Sequence, residues 1–228
     1  NKGVQRHLPV LRLTAIGAQR VSAVGNIKFD VTPSPEKRQL GSDWRTALGD
    51  RPIWLAASTR EGEEALILKA FARITMPDLL LLLVPRHPQR FAEVAALVEE
   101  HKLSLCRRSA GSLPTNETKV WLGDSMGEMP AYFAVADVAL IGGTLLPFGG
   151  QNLIEAAACG CPVLVGPHSF NFAQATEDAI ACGAAMRIVD IDDAARTTEK
   201  LLKDREALQA MRDAAARLWP GGKKTPSA

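Results

Sequence analysis

Aromatic residues, cysteines and long apolar runs are all scarce in this chain of 228 residues. Phe, Trp and Tyr together make up 5% of the residues, so a buried core must be built mainly from Ala, Leu, Val and Ile. The longest apolar run, residues 79–84, is far shorter than the ~20 residues that a membrane span needs. The N-terminal residues also lack the apolar segment of a signal peptide. Because the chain starts at Asn1 without an initiator Met, we expect it to be a piece of a longer protein.

The chain also has almost no excess of basic over acidic residues. The chain has 27 basic and 25 acidic residues and a net charge of +2, which argues against a nucleic-acid partner, for which a strongly basic face is expected. Its 46% hydrophobic and 23% charged residues are close to globular averages, which excludes disorder and collagen-like structure. The length fits one α/β domain, or one domain plus a fragment.

The four cysteines are too few and too scattered for a disulfide scaffold. Cys159 and Cys161 form a C-x-C pair, but no second Cys/His pair lies at zinc-ligand spacing. We therefore expect Cys106, Cys159, Cys161 and Cys182 to be reduced, buried and structural, in a cytoplasmic compartment. The four histidines, His7, His87, His101 and His168, show no spacing that suggests a shared ion, and we expect no metal and no cofactor.

Short β-rich runs alternate with longer amphipathic stretches, which predicts an α/β fold with a Rossmann-like, doubly wound parallel sheet. The continuous apolar runs are typical of strands that are buried on both faces. The predicted strands are 21–24, 52–57, 79–84, 120–122, 138–141, 163–165 and 186–189, and the predicted helices are 63–74, 89–101, 152–159, 172–182 and one or two within 192–219. Residues 31–36 read as a linker-like turn. We expect residues 1–30 to be a lead-in from an N-terminal domain, 31–219 to be one domain and 220–228 to be a flexible tail.

Ligands of open α/β sheets bind beyond the carboxyl ends of the strands, so the loops that follow the predicted strands are the first candidates for a site. Ser58 lies in the first of these loops, which an N-cap with an acidic first turn explains somewhat better than a ligand does. Arg86 and His87 follow the next strand, and both side chains suit an anionic ligand. A turn fixed by two prolines, with solvated side chains, is the alternative for this pair.

The later loops are rich in glycine. Gly127 precedes a predicted helix, where backbone N–H groups can bind a phosphate, although an ordinary helix start has the same pattern. The loop from Gly142 to Glu155 is more specific, because two glycine pairs precede a helix whose Glu can accept hydrogen bonds from a ribose diol. His168, after the following strand, fits a ligand and a loop-packing role equally well. Asp190 and Asp192 form a D-x-D that we interpret as a helix cap. Neither the G-x-G-x-x-G nor the G-x-x-x-x-G-K-[ST] fingerprint is present.

Six motifs in this order resemble the C-terminal half of the 3-deoxy-D-manno-octulosonic acid (Kdo) transferases, which are GT-B glycosyltransferases. The resemblance spans roughly residues 10–205. Gln151 and Arg60 stand where the family often has His, and both keep a hydrogen-bonding side chain. The motifs are Gly25–Asp30, Ala57–Glu64, Pro85–Pro88, Met126–Met129, Gly149–Glu155 and Gly166–Phe172.

The resemblance implies a donor-binding domain of an enzyme that transfers Kdo from CMP-Kdo to a lipid A precursor at the cytoplasmic face of the inner membrane. It assigns CMP contacts to Arg86, His87, Met126, Gly127, Glu128, Asn152, Leu153, Ile154 and Glu155. Further candidates are Ser58, Lys28, Gly150 and Gln151. A single phosphate gives little need for a divalent metal, because Arg86, helix N-termini and Lys28 can supply the positive potential.

The resemblance also implies what this chain does not contain. The membrane anchor, the acceptor site and the Glu that acts as general base belong to an N-terminal domain, so no catalytic residue is expected in these 228 residues. Two alternatives remain open. One is the donor domain of another GT-B enzyme that uses a UDP-sugar, and the other is a nucleotide-binding module without catalytic activity.

Overall fold

The computed structural model describes residues 33–218, which contain a seven-stranded sheet. All neighbouring strands are parallel, in the order β3-β4-β2-β1-β5-β6-β7. The doubly wound α/β prediction is therefore confirmed. The strands are β1 (Ile53–Thr59), β2 (Leu80–Pro85), β3 (Leu105–Arg107), β4 (Val120–Leu122), β5 (Val138–Ile141), β6 (Val163–Val165) and β7 (Ala185–Arg187).

Eight α-helices lie in the described part of the chain. They are α1 (Pro35–Leu48), α2 (Glu63–Phe71), α3 (Phe91–Glu100), α4 (Met129–Val135), α5 (Ile154–Ala158), α6 (Ala173–Ala181), α7 (Ile191–Lys203) and α8 (Arg205–Leu218). Helix α2 packs on α3 and α7, whereas α4 packs on α1 and α5. Helix α8 packs on both α5 and α7 and so links these two sets. Between residues 33 and 218, no helix is both long and apolar enough to cross a membrane.

The central strands form because their side chains are apolar without interruption. All six residues of β2 are buried, and successive side chains of a strand point to opposite faces. A strand covered by helices on both faces therefore needs a continuous apolar run rather than an alternating pattern. β1 has the same character over its first five residues, with Trp54, Leu55 and Ala56 fully buried.

The prediction of a linker-like turn at 31–36 is wrong for the residues that the structure describes, because α1 begins at Pro35. Ser34 is the N-cap, and its side chain accepts a hydrogen bond from the backbone N–H of Lys37. Pro at the first helical position and Ser before it are favoured helix-start residues. Only Gly41 and Trp44 are buried along this helix, so its sequence shows no apolar periodicity that would predict it.

The edge strand β3 is a second difference. Its three residues are half-buried or exposed, so they form no apolar run that would predict a strand. The other predicted strands and helices are present with ends shifted by no more than a few residues, and the region 192–219 contains two helices, α7 and α8. The predicted strand 21–24 lies outside the described residues. The proposed boundaries at 30/31 and 219/220 stay predictions.

The cysteines only partly match the expectation. All four are free, but Cys182 is exposed and Cys106 and Cys159 are half-buried, so the prediction of burial is wrong for these three. Cys161 is buried, and burial raises the pKa of the half-buried Cys159 thiol to about 12. The short edge strand β3 and the end of α6 leave Cys106 and Cys182 without a covering layer.

Asp137 joins three elements at the amino-terminal end of the sheet. Its Oδ2 accepts hydrogen bonds from the backbone N–H of Ile53, at 2.9 Å, and from Arg45 Nη2, at 3.1 Å. Its Oδ1 pairs with Arg212 Nη2 at 2.6 Å. Helices α1 and α8 are thereby tied to the start of β1, at the opposite end of the strands from the loops considered below.

Gly41 sets how closely α1 approaches α4. A Cβ added at this position would lie 2.4 Å from the carbonyl oxygen of Ala131 and 2.7 Å from Cβ of Ala134. We expect Gly41→Ala to destabilise the fold by about 1–3 kcal/mol through overpacking, despite the better helix propensity of Ala. Urea unfolding measures this. Ser42→Ala, on the exposed side of the same helix, is the control and should change stability little. Equal stability of Gly41→Ala and wild type would contradict the tight packing.

Candidate functional site

A cavity of about 170 Å³ lies at the carboxyl ends of the central strands. β1 pairs with β2 on one side and with β5 on the other. From β1 the chain first builds the side of the sheet that holds β2, β4 and β3, and it then crosses to the other side of β1 to form β5. A crevice at such a topological switch point is where open α/β sheets bind ligands. The cavity is lined by Ala57, Ser58, Arg86, Met129, Phe133, Ile141, Gln151, Asn152, Glu155 and Phe172.

The end of β1 is irregular where it meets the cavity. Ser58 has a φ of +56°, in the left-handed region, and the register with β2 shifts between Ala57 and Thr59. The backbone of Gly142 lies directly against this bulge, because a Cβ on Gly142 would be 2.3 Å from the carbonyl oxygen of Ser58. The bulge turns Ser58 into the cavity wall, and only glycine fits opposite it.

Glu63, at the start of α2, holds the loop that follows β5. Its side chain is fully buried. Oε2 accepts hydrogen bonds from the backbone N–H groups of Arg60, at 2.9 Å, and Gly143, at 2.7 Å. Oε1 accepts from Leu145 at 3.0 Å and, more weakly, from Leu146 at 3.4 Å. Burial raises the pKa of this carboxyl, and the backbone donors oppose the rise by favouring the carboxylate.

The second glycine pair brings the loop back to the cavity. Gly149 and Gly150 both have positive φ, at +88° and +83°, and the N–H of Gly150 donates to the carbonyl of Gly143 at 2.7 Å. A Cβ on Gly149 would lie 2.3 Å from the side-chain nitrogen of Asn171. The turn thus closes on the segment before α6, and the residues that follow it, from Gln151 onward, lie along the cavity.

Arg86 and Glu155 are the charged groups of the cavity wall. Within residues 33–218 no ion pair or side-chain hydrogen bond satisfies either one, whereas the side chain of Asn152 accepts a bond from the N–H of Ile154 at 3.0 Å. Burial raises the pKa of Glu155. A guanidinium, a carboxylate, an amide and the hydroxyl of Ser58, set among apolar side chains, suit a ligand with both an anionic group and hydroxyl groups.

The structure brings together five of the predicted site residues and places the others around them. Ser58, Arg86, Gln151, Asn152 and Glu155 line the cavity. The remaining described candidates are not among the lining residues: His87, Met126 and Gly127 are exposed, and Gly150, Leu153 and Ile154 are buried. Lys28 lies outside the described residues.

Glu128 is buried, and its carboxylate is already occupied within the protein. Arg108 donates to both of its oxygens, at 3.0 and 3.1 Å, and Ser125 and Tyr132 also donate to Oε2. Its side chain therefore fixes the loop before α4. The backbone of that loop remains available to a ligand.

Sequence analysis did not identify the apolar residues that line the cavity. Met129 and Phe133 are four residues apart on α4, so they lie on one face of that helix, and Phe172 approaches from the segment before α6. The i, i+4 spacing in a helix that follows a glycine loop was a usable signal. It was not decisive, because apolar residues at that spacing are more often core.

Asp190 and the backbone of His168, two features singled out in the sequence, have structural roles. Asp190 is the N-cap of α7 and accepts from the N–H of Asp193 at 2.7 Å, which confirms the interpretation of the D-x-D as a cap. The N–H of His168 donates to the carbonyl of Thr144 at 3.0 Å, which ties this loop to the glycine loop. No group of three His, Cys, Asp or Glu side chains in the described part is placed to hold a metal ion.

Comparisons with known proteins agree with this geometry. The profile of the family Glycosyl transferases group 1 matches residues 59–218. The 3-deoxy-D-manno-octulosonic acid transferase of Bordetella pertussis is 48% identical over 214 residues, which are 91% of this chain and 50% of that protein. The corresponding enzyme of Haemophilus influenzae is 39% identical over 86% of this chain and 47% of that protein. The chain thus spans about half the length of the curated relatives it matches.

Comparison with solved structures agrees with the comparison of sequences. The C-terminal CMP-Kdo binding domain of WaaA from Acinetobacter baumannii superposes with a TM-score of 0.74 and is 33% identical, covering 80% of this chain and 95% of that domain. Anabaena HepE in complex with UDP and glucose superposes with a TM-score of 0.54 at 16% identity, covering 88% of this chain and 51% of that one. This second likeness shows the fold alone.

Replacing Glu63 tests whether its carboxylate holds the glycine loop. In Glu63→Gln one oxygen becomes an NH₂ group that faces backbone donors, so buried N–H groups lose their acceptor. We expect a loss of about 1–3 kcal/mol of unfolding free energy, measured by urea denaturation. Glu61→Gln, an exposed carboxylate two residues away, is the matched control and should be nearly neutral. A Glu63→Gln variant as stable as wild type would show that the glycine loop keeps its conformation without the Glu63 carboxylate.

Glu155 should lower the stability of the fold at neutral pH. Its pKa is raised in the folded state by burial, so the native protein holds this proton more tightly than the unfolded chain does. Stability is lost as pH rises from the ordinary carboxyl range through the raised folded pKa. Glu155→Gln avoids this loss, so it should melt higher than wild type at about pH 8 and converge with it near about pH 4. A constant difference between the two melting curves across this range would contradict the raised pKa.

Proposed function

The chain belongs to the Glycosyl transferases group 1 and, within them, to the 3-deoxy-D-manno-octulosonic acid transferases, and from this premise we propose that it forms their donor-binding domain. The proposed donor is CMP-Kdo. The observation that supports this most directly is the cavity at the switch point between β1, β2 and β5, which is lined by Arg86, Asn152 and Glu155 from the family motifs.

Each polar group of the cavity has a matching group on CMP. The guanidinium of Arg86 has no carboxylate partner among the described residues and can donate to the phosphate. The carboxylate of Glu155 is an acceptor without a donor there, and a ribose diol offers two hydroxyl donors. Because burial disfavours the ionised form of Glu155, hydroxyl donors from a ligand would lower its pKa again. Ligand binding would thereby recover stability that the empty site lacks.

The apolar wall complements these contacts. In this proposal Met129, Phe133 and Phe172 pack against the nucleoside and exclude water from the charged contacts. Met126, Gly127 and Glu128 contribute through the backbone of the loop before α4. Asn152, Leu153 and Ile154 present the start of α5 to the phosphate. His87 lies beside Arg86 at the outer edge of the site, and Gly150 allows the loop to approach the ligand closely.

For the whole protein we propose transfer of Kdo from CMP-Kdo to a lipid A precursor at the inner membrane, on its cytoplasmic face. CMP-Kdo has one phosphodiester charge, and CMP carries a second negative charge on its phosphate once the sugar has left. Arg86 stabilises that developing charge without a divalent ion. The acceptor site, the membrane contact and the general base are assigned to a part of the enzyme other than residues 31–219. No residue of this chain is proposed as the base.

Calorimetric titration of the 228-residue chain with CMP, UMP and UDP tests the proposal. We expect CMP to bind more tightly than UMP and UDP and its binding to survive EDTA. Glu155→Ala should weaken CMP binding by about 1–3 kcal/mol, because the ribose loses its acceptor, while the fold remains intact by circular dichroism. Glu100→Ala, an exposed carboxylate on α3, is the matched control and should leave CMP affinity unchanged.

Three results would count against the proposal. A preference for UDP would assign the domain to a UDP-sugar transferase. Unchanged CMP affinity in Glu155→Ala would remove the ribose contact. An absence of binding to all three nucleotides would overturn the donor-site assignment for this domain.

A further inference from the structure

A second arginine lies just outside the cavity and has no anionic partner in the part of the chain that the structure describes. Arg60 directly follows β1, and its guanidinium carbon lies 4.7 Å from the centre of the Phe148 ring. Among residues 33–218, no carboxylate forms an ion pair with this guanidinium. Contact with the ring holds the side chain in place and leaves its charge uncompensated.

The side chains of Arg60 and Gln151 both approach Gly143. A Cβ built on Gly143 would lie 3.5 Å from Cγ of Arg60, from the side-chain nitrogen of Gln151 and from Cα of Gly150. Gln151 itself lines the cavity. A ligand that extends from the cavity past Gln151 would therefore reach Arg60 next.

The nearby acidic residues do not neutralise Arg60. The carboxylate of Glu63 accepts the backbone N–H of Arg60 and is otherwise shared among the N–H groups of the glycine loop. Glu61 is exposed to solvent, and Glu64 pairs with Arg90 at 2.7 Å and accepts a hydrogen bond from Thr59. The guanidinium is thus a fixed positive charge at the outer edge of the site, and its planar fork matches a carboxylate.

The proposed donor carries two anionic groups, and the described residues that line the cavity include one cation, Arg86. In CMP-Kdo the phosphodiester oxygen and the sugar carboxylate are attached to the same carbon, so the two negative groups lie close together. Arg86 is assigned to the phosphate, which leaves the carboxylate without a partner in the cavity. We propose that Arg60 binds the carboxylate of the donor sugar and selects an acidic sugar over a neutral one, an inference that rests on the proposed function.

Comparing CMP with CMP-Kdo isolates this contact, because only CMP-Kdo carries the carboxylate. The experiment is calorimetric titration of the 228-residue chain with CMP and with freshly prepared CMP-Kdo. We expect Arg60→Ala to keep the affinity for CMP within about twofold and to weaken CMP-Kdo binding on the order of 10- to 100-fold, the loss of one charge-assisted contact. Arg60→Lys should fall between wild type and Arg60→Ala, because it keeps the charge and loses the planar fork.

A second exposed arginine provides the control for this experiment. Arg196→Ala removes an exposed guanidinium from α7 and should change neither affinity. Equal weakening of both ligands by Arg60→Ala, or weakening of neither, would overturn the carboxylate contact. A wild-type chain that binds CMP but shows no preference for CMP-Kdo would also overturn it and would leave the proposed function standing. A wild-type chain that binds neither ligand would overturn the proposed function itself.

Discussion

The buried carboxylate of Glu63 is the constraint on which the site depends. It joins the start of α2 to the loop after β5 by accepting backbone N–H groups at 2.7 to 3.0 Å, with a weaker contact at 3.4 Å. Burying a carboxylate is costly unless donors surround it, and here the backbone supplies them. Since the same loop continues through Gly149 and Gly150 to Gln151 and Glu155, the position of the polar cavity wall follows from this one anchor.

Several carboxylates elsewhere in the fold have partners within the protein, whereas the charged side chains at the cavity do not have them among the described residues. Four structural carboxylates pair with arginines and Glu63 is satisfied by backbone N–H groups, whereas Arg86, Glu155 and Arg60 have no charged partner in the described residues. Burying Glu155 without a partner disfavours its ionised form and so raises its pKa, but it keeps the carboxylate free to bind a ligand. The pairs are Glu64 with Arg90, Asp124 with Arg107, Glu128 with Arg108, and Asp137 with Arg45 and Arg212.

The sequence predicts the sheet well because buried parallel strands need apolar runs, and it predicts the cavity because ligand sites follow such strands. It fails where structure depends on partners distant in the chain. Glu63 reads as an ordinary first-turn carboxylate, since its acceptor role involves Gly143, eighty residues later. The fixed state of Glu128 depends on Arg108 in the same way. Helix α1 and strand β3 escape prediction because few of their residues are buried, so burial leaves little pattern.

The two arginines of the proposed donor site have different consequences for the reaction, because the groups they bind change charge differently. The phosphate gains negative charge as the sugar departs, so an arginine on it binds the transition state more strongly than the ground state. The sugar carboxylate keeps one charge throughout. An interaction with it therefore changes less between the two states than the one with the phosphate does, and it affects mainly donor binding. In this proposal Arg86 contributes to kcat as well as to affinity, whereas Arg60 contributes to the choice of donor.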